Sequence, residues 1–198
     1  MSAGTQLWLM RHGETEWSLS GAHTSRTDIP LTENGREKAK ELGAFLRDTK
    51  FVAVFTSPMA RAKETCRIAG LIENAHVDEG LMEWDYGVYE GKSTPEIRKT
   101  EPDFSIWTAH ITDGEPVDHV GERADGVIAR ALEAAGTAGG GNVALFAHGH
   151  ILRILAARWI GLSAGGGEFL GLGTGSVSVL GYERTTRVIQ HWNRGFGG

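Results

Sequence analysis

Short apolar runs of strand length recur along this chain and alternate with amphipathic stretches. Residues 7–10, 51–55 and 143–147 form three such runs, and a weaker one covers 75–77. Continuous apolar runs of this length are typical of strands that are buried on both faces of a sheet. Residues 177–192 contain two more, which predict a closing hairpin of edge strands.

The stretches between these runs carry helical periodicity. The predicted helices begin near Thr32 and Ser57 and cover 117–135 and 151–160. Ser57 followed by Pro58 is a strong helix start, because serine caps the first turn and proline suits the first helical position. Strands that alternate with helices predict an α/β fold, with a mainly parallel sheet covered on both faces and an antiparallel edge.

Two polar or mixed stretches interrupt this alternation. Residues 14–30 lack clean periodicity and predict a long loop, and loops of that length in compact domains are usually functional. Residues 82–116 mix acids, aromatics and glycines, which predicts a cap-like insertion over the end of the sheet. With no internal repeat and no second core, residues 1–198 are predicted to form a single domain.

Composition and charge narrow the class of protein. The chain has 198 residues, and its 20 basic and 25 acidic side chains give a net charge of −5, which predicts no general attraction for nucleic acid or anionic membranes. A lone cysteine, Cys66, excludes an internal disulfide and suits a reducing cytoplasm. No apolar run is long enough for a membrane span, and we expect a cytoplasmic monomer or small homo-oligomer.

Candidate chemistry follows the predicted strands. Arg11 and His12 end the first run, Arg61 lies near the start of the helix after the second, and His148 ends the fourth. Because parallel strands bring their carboxyl ends to one rim, these groups can converge there. Two arginines offer bidentate donors for phosphate oxygens. One histidine could then attack phosphorus while the other, protonated, holds an oxygen.

A phosphoryl transfer also needs an acid for the leaving oxygen, and Glu83 at the mouth of the cap-like insertion is the best-placed carboxylate. Each of these residues has a plainer interpretation. His12 could be a strand-end histidine satisfied by the backbone, Arg61 an exposed side chain and Glu83 an ordinary loop acid. The convergence of complementary groups favours a site.

Several of these motifs resemble the histidine phosphatase superfamily, the phosphoglycerate-mutase-like clan. Arg11-His12-Gly13-Glu14-Thr15 resembles the opening motif of that family, Ser57-Pro58 with Arg61 the second, and Ala147-His148-Gly149-His150 the last. The resemblance implies a three-layer α/β/α sandwich, a phosphohistidine on His12, a phosphate pocket of Arg11, Arg61 and His148, and Glu83 as proton donor. It implies no metal and no other cofactor.

Departures from the family pattern indicate the branch. Ser18 stands where many relatives carry Asn, and Glu83 is followed by Trp84 rather than by the arginine pair that binds a carboxylate in mutases. These segments resemble a phosphatase branch with sedoheptulose bisphosphatases and broad-specificity acid phosphatases. We therefore predict a metal-independent phosphomonoesterase acting on sugar phosphates or bisphosphates. A mutase-type phosphotransferase and a catalytically silent phospho-ligand binding protein are the alternatives.

Residues near these motifs are candidates for contacts with the substrate. The set predicted to bind it is Ser18, His23, Thr24, Ser25, Trp84 and Tyr86. Trp84 and Tyr86 could equally pack the cap-like insertion. His150 is expected mainly to orient its loop, and Arg153 to be structural.

Overall fold

The computed structural model of the chain describes residues 4–196, which form a mixed six-stranded sheet flanked by helices. The strands are β1 (Gln6–Arg11), β2 (Phe51–Thr56), β3 (Ala75–Val77), β4 (Asn142–Ala147), β5 (Val177–Glu183) and β6 (Thr186–Arg194). They lie in the order β3-β2-β4-β1-β5-β6. The first four in that order are mutually parallel, and the final hairpin adds an antiparallel edge, so the predicted sheet is confirmed.

The helices cover both faces of this sheet. They are α1 (Glu16–Ser20), α2 (Glu33–Leu46), α3 (Ala60–Ile68), α4 (Thr94–Ile97), α5 (Val117–Thr137) and α6 (Gly149–Trp159). Short 3-10 segments lie between them, among them Gly87–Tyr89 and Ala164–Phe169. Within residues 4–196, none of the helices is both long and apolar enough to cross a membrane.

Two apolar cores make the fold a three-layer sandwich. Alternate residues of a strand point to opposite faces, and Leu9 of β1 accordingly lies in the core under α5 and α6. Its neighbour Met10 lies in the other core, under α2 and α3. In β4, Leu145 and Phe146 divide in the same way. Because both faces are covered, most side chains of the central strands β1 and β4 are buried, which explains their nearly continuous apolar sequence.

The helices differ most from the predictions at two places. The predicted loop 14–30 contains α1, whose N-cap Thr15 exchanges hydrogen bonds with Ser18 in a capping box. A five-residue helix is too short for apolar periodicity to reveal it. Helix α3 begins at Ala60 rather than at Pro58, with Met59 as its N-cap residue, and the hydroxyl of Ser57 is bound to a histidine of the site described below.

The loop after β1 depends on a close approach of two backbones. A Cβ atom on Gly13 would collide with the backbone carbonyl of Gly35, and one on Gly35 would collide with the backbone of Glu14. The backbone N–H of Thr32 donates to the Glu14 carbonyl at 2.9 Å. Glycine at both positions lets the start of α2 press against this loop, which carries the first histidine of the site.

Candidate active site

The site lies where β1, β2 and β4 end side by side. Arg11 pairs with Ala147 in the parallel register of β1 and β4, so His12 and His148 leave the sheet at the same level. The His12 N–H donates to the Ala147 carbonyl at 3.0 Å, and the Ser57 N–H donates to the Phe146 carbonyl at 2.9 Å. The ring centroids of His12 and His148 are 5.2 Å apart. The predicted convergence at one rim is therefore present.

One ring nitrogen of His12 is committed to the backbone. Nδ1 lies 2.7 Å from the carbonyl oxygen of Gly13, and since a carbonyl only accepts, Nδ1 carries the proton. Burial and the charges of Arg11 and Arg61 hold the pKa of His12 well below its ordinary value. The ring is therefore neutral, and the lone pair lies on Nε2. A neutral imidazole with one nitrogen fixed in this way can act as a nucleophile.

Arg11 lies beside this ring with an unused donor. One of its terminal nitrogens donates to the Leu172 carbonyl, whereas its buried Nε has no hydrogen-bond partner among residues 4–196. Gly149 borders the guanidinium so closely that a Cβ atom there would lie 3.3 Å from Cζ. A buried donor without a partner costs free energy unless a ligand accepts from it. An anion is the ligand that a guanidinium favours.

His148 is held between a donor and an acceptor. Arg61 Nε donates to Nδ1 of His148 at 3.1 Å, and Nε2 of the same ring lies 2.7 Å from Ser57 Oγ. An imidazolium has no lone pair for the arginine donor. Burial and the nearby Arg61 also hold the pKa of His148 well below its ordinary value. The expectation of a protonated His148 is therefore wrong here, because the arginine occupies the side where a proton would sit.

Arg61 connects this ring to the loop before α2. Its terminal nitrogens donate to the backbone carbonyls of Thr24, Ser25 and Thr27 at 2.9 to 3.3 Å. The side chain is fully buried, and its contact with Asp28 is long at 3.9 Å. Arg61 thus lies behind the two histidines and does not line the cavity described next. A buried cation requires such hydrogen bonds to offset its desolvation.

Glu83 is held by the start of a helix. Its Oε1 accepts from the backbone N–H groups of Trp84 and Ile151 at 3.0 and 2.9 Å, and Oε2 accepts from that of His150 at 3.0 Å. His150 and Ile151 belong to the first turn of α6, whose N-terminal dipole favours a carboxylate. These contacts fix the orientation of Glu83 at the wall of the cavity.

A cavity of about 450 Å³ opens above these groups. Arg11, His12 and Glu83 line it, as do four of the predicted substrate-binding residues: Ser18, His23, Thr24 and Tyr86. Ser25 and Trp84 do not line it, and both are almost fully buried. Ser25 supplies backbone groups to Arg61 and Glu90, and Trp84 packs in the core with its indole N–H on the Glu115 carbonyl.

The sequence reasoning missed other residues of this cavity. Trp107, Arg98 and Arg153 line it, although Arg153 was expected to be structural. His150 also lines it, with Nδ1 2.6 Å from the Tyr86 hydroxyl. Trp107 and Arg98 lie in a stretch without periodicity, so no sequence signal could assign them. Arg153 stands one helical turn after His150, and that spacing was the available signal.

These features define a class of protein, an α/β protein whose parallel strands end at a cavity lined by a fixed histidine and by an arginine with an unused donor. Among residues 4–196, no three His, Cys, Asp or Glu side chains are grouped closely enough to hold a metal ion.

Comparison with known proteins names the family. The family model of the histidine phosphatase superfamily (branch 1) matches residues 7–195, and the chain belongs to this family. It is a histidine phosphatase, a phosphomonoester hydrolase.

Individual relatives agree with this assignment. An acid phosphatase of Mycobacterium tuberculosis is 40% identical over 93% of this chain and 90% of its own length. The sedoheptulose 1,7-bisphosphatase of Saccharomyces cerevisiae is 36% identical over 78% of this chain and 67% of its own length. A solved structure of a Mycobacterium tuberculosis open reading frame, 38% identical, superposes with a TM-score of 0.89 over 96% of this chain and 98% of its own.

Proposed function

We propose that this protein hydrolyses small phosphorylated metabolites, sugar phosphates or bisphosphates, through a phosphohistidine on His12 and without a metal. The observation that carries the proposal is the His12 ring itself. It is neutral, its Nδ1–H is fixed on the Gly13 carbonyl, and it lines the cavity beside the unused donor of Arg11. The relatives that are an acid phosphatase and a sugar bisphosphatase support the substrate class.

In the first step, Nε2 of His12 attacks phosphorus and forms a P–N bond while the bond to the ester oxygen breaks. Glu83 acts as the general acid and delivers a proton to the departing oxygen, which leaves as an alcohol. Arg11 donates to the phosphoryl oxygens, where negative charge must be neutralised during transfer. The buried guanidinium of Arg61 keeps the field near the nucleophile positive, and the neutral ring of His148, which accepts from it and packs beside His12, keeps the pocket rigid.

In the second step, water attacks phosphorus and breaks the P–N bond. Glu83, now a carboxylate, accepts the proton of that water, and inorganic phosphate leaves with both groups restored. Splitting a slow hydrolysis into two transfers lowers each barrier. Every proton in this cycle passes through Glu83, whose two oxygens are oriented by three backbone N–H groups.

Residues 82–116 act in this proposal as a cap over the rim of a single domain that comprises residues 1–198. The positions of Thr94, Arg98 and Trp107 on the cavity wall support the cap. A cytoplasmic location fits the buried, free thiol of Cys66, which needs no oxidising compartment. We further propose that Ser18, His23, Thr24 and Tyr86 contact the leaving group, and that the protein is a monomer or small homo-oligomer that does not bind nucleic acid.

Release of inorganic phosphate from p-nitrophenyl phosphate in excess EDTA tests the reaction. We expect activity in the wild type and a loss of about a thousandfold or more in His12→Ala. His191→Ala, which changes an exposed histidine at the far edge strand, is the matched control. Activity that EDTA abolishes, or full activity in His12→Ala, would contradict the proposal.

Trapping the intermediate tests the role of His12 more directly. A rapid quench in alkaline detergent of the reaction with a ³²P-labelled ester should yield an acid-labile, alkali-stable label on the wild-type protein. The label should be absent from His12→Ala and present in His191→Ala. A labelled His12→Ala protein would assign the phosphoryl group to another side chain.

A further inference from the structure

The backbone of Glu83 is held separately from its carboxylate. Three backbone N–H groups orient the carboxylate at the wall of the active-site cavity. Glu83 also lines a second cavity, of about 330 Å³, together with Glu115 and Arg123. A cavity provides few packing contacts for the chain that lines it. Hydrogen bonds must therefore fix the backbone on that side.

Arg123 of α5 supplies these hydrogen bonds. One of its terminal nitrogens donates to the backbone carbonyls of Gly80 and Met82 at 2.8 and 3.1 Å. The other lies 3.5 Å from the carbonyl oxygen of Glu83 itself. A single guanidinium, whose donors form a rigid fork, therefore spans the backbone of residues 80–83 up to the proposed acid.

Glu115 fixes Arg123 in turn. Its carboxylate accepts from Nε of Arg123 at 2.6 Å and from a terminal nitrogen at 2.8 Å, which makes a bidentate pair of two largely buried side chains. The backbone carbonyl of Glu115 accepts from the indole N–H of Trp84 at 2.7 Å, and its N–H donates to the carbonyl of Asp85 at 3.0 Å. The pair thus connects α5 to the residues on both sides of Glu83.

We propose that Arg123 is a positioning residue for proton transfer, which acts by holding the backbone from which the carboxyl group of Glu83 projects. Arg123 does not line the active-site cavity, so its effect on the reaction passes through Glu83. A misplacement of about 1 Å in a reacting group can cost about a hundredfold in rate. This inference rests on the proposed function, in which Glu83 protonates the departing oxygen.

Two aryl phosphates with leaving groups of different quality test the inference. p-Nitrophenol departs readily as an anion, whereas phenol is a poorer leaving group and depends more on the acid. In the proposed reaction kcat/KM covers only the steps up to release of this alcohol. In Arg123→Gln we expect kcat/KM for phenyl phosphate to fall about tenfold more than kcat/KM for p-nitrophenyl phosphate. A purely structural role lowers both values equally, and an unchanged ratio would overturn the inference.

Arg158→Gln is the matched control, because Arg158 forms a bidentate pair with Asp125 of α5 and neither residue lines either cavity. It should keep the wild-type ratio, and an equal change there would assign the effect to a general loosening of α5. Glu115→Gln keeps Arg123 but removes the charge that fixes it, so the ratio should change in the same direction by about threefold. Should Arg123→Gln fail to fold, Glu115→Gln decides, and a wild-type ratio in that variant overturns the inference.

Glu83→Gln distinguishes a failure of this inference from a failure of the proposed function. Without the acid, kcat/KM for phenyl phosphate should fall about a hundredfold more than that for p-nitrophenyl phosphate. If Glu83→Gln shows this difference and Arg123→Gln does not, the positioning role alone is refuted. If Glu83→Gln lowers both values equally, Glu83 is not the acid, and the proposed mechanism fails together with this inference.

Discussion

Thr65 offers a sharp test of how the nucleophile is held. Its hydroxyl accepts from the backbone N–H of Gly13 at 3.0 Å and donates to the Arg61 carbonyl at 2.8 Å. Both Thr65 and Gly13 are buried, and the carbonyl of Gly13 fixes Nδ1 of His12. In Thr65→Val the shape of the side chain is kept but the hydroxyl is lost, so the Gly13 N–H remains buried without an acceptor.

The expected loss in the free energy of unfolding follows from the single buried N–H, that of Gly13, which is left without an acceptor. An unsatisfied buried N–H costs about 1–3 kcal/mol, while valine and threonine have similar helix propensities. In a domain of this size each kcal/mol lowers Tm by about 2–4 °C, so a loss of about 2 kcal/mol lowers Tm by about 4–8 °C. Because Gly13 also orients His12, we expect kcat for p-nitrophenyl phosphate to fall as well.

Thermal unfolding followed by circular dichroism measures the first effect and steady-state kinetics the second. Thr65→Ser is the matched control: it keeps the hydroxyl and loses one methyl group, worth about 0.8 kcal/mol. We therefore expect Thr65→Ser to melt above Thr65→Val. If Thr65→Val melts within about 1 °C of the wild type, the Gly13 N–H does not depend on this hydroxyl and the reasoning fails.

Three further predictions concern stability and reactivity. Gly35→Ala should destabilise the protein strongly, because the added Cβ would collide with the backbone of Glu14. Gly136→Ala, which has open space around it in α5, should stabilise the protein by about 0.5–1 kcal/mol. Urea unfolding measures both variants, and equal effects would contradict the close approach of Gly35 to Glu14. Burial raises the pKa of Cys66 to about 12, so a thiol reagent at pH 8 should label it only after unfolding, and rapid labelling of the native protein would refute that. The pKa values of His12 and His148 are lowered in the folded state. As the pH falls, the unfolded chain therefore binds protons at these two histidines at a higher pH than the folded protein does. The free energy of unfolding should accordingly fall as the pH drops below about 6.5, by up to about 1.4 kcal/mol per pH unit for each histidine. Urea titrations between about pH 7.5 and 5.5 measure this free energy, and a value that does not change with pH would contradict the prediction.

The strands of the sheet were predicted well because each is indicated by an apolar run within its own few residues. Each of four apolar runs became a strand, and the final hairpin became two more. The helix between 117 and 137 has a continuous apolar stripe. The position of the site at one edge of the sheet was predictable too, because crossover connections make the strands parallel and bring their carboxyl ends to the same edge. Helix α1 was not, because five residues with a capping box carry no periodic pattern.

The details of the site depend on contacts that spacing does not determine. The neutral state of His148 follows from the direction in which Arg61 Nε points, and that direction is set by three loop carbonyls far away in sequence. Trp84 was predicted to contact the substrate, but its ring packs in the core, where its indole N–H donates to a backbone carbonyl. Arg153 looked structural because its place on the cavity wall depends on Trp107, which comes from an irregular segment.

The contacts of Arg61 bear on how this enzyme could change its specificity during evolution. One guanidinium holds the carbonyls of Thr24, Ser25 and Thr27 and also the ring of His148. A substitution that remodels this loop to admit a new leaving group therefore disturbs the chemistry at the same time. The wall around Trp107 has no such link to His148 among the described hydrogen bonds, so new substrate preferences should arise there at the lowest cost to turnover.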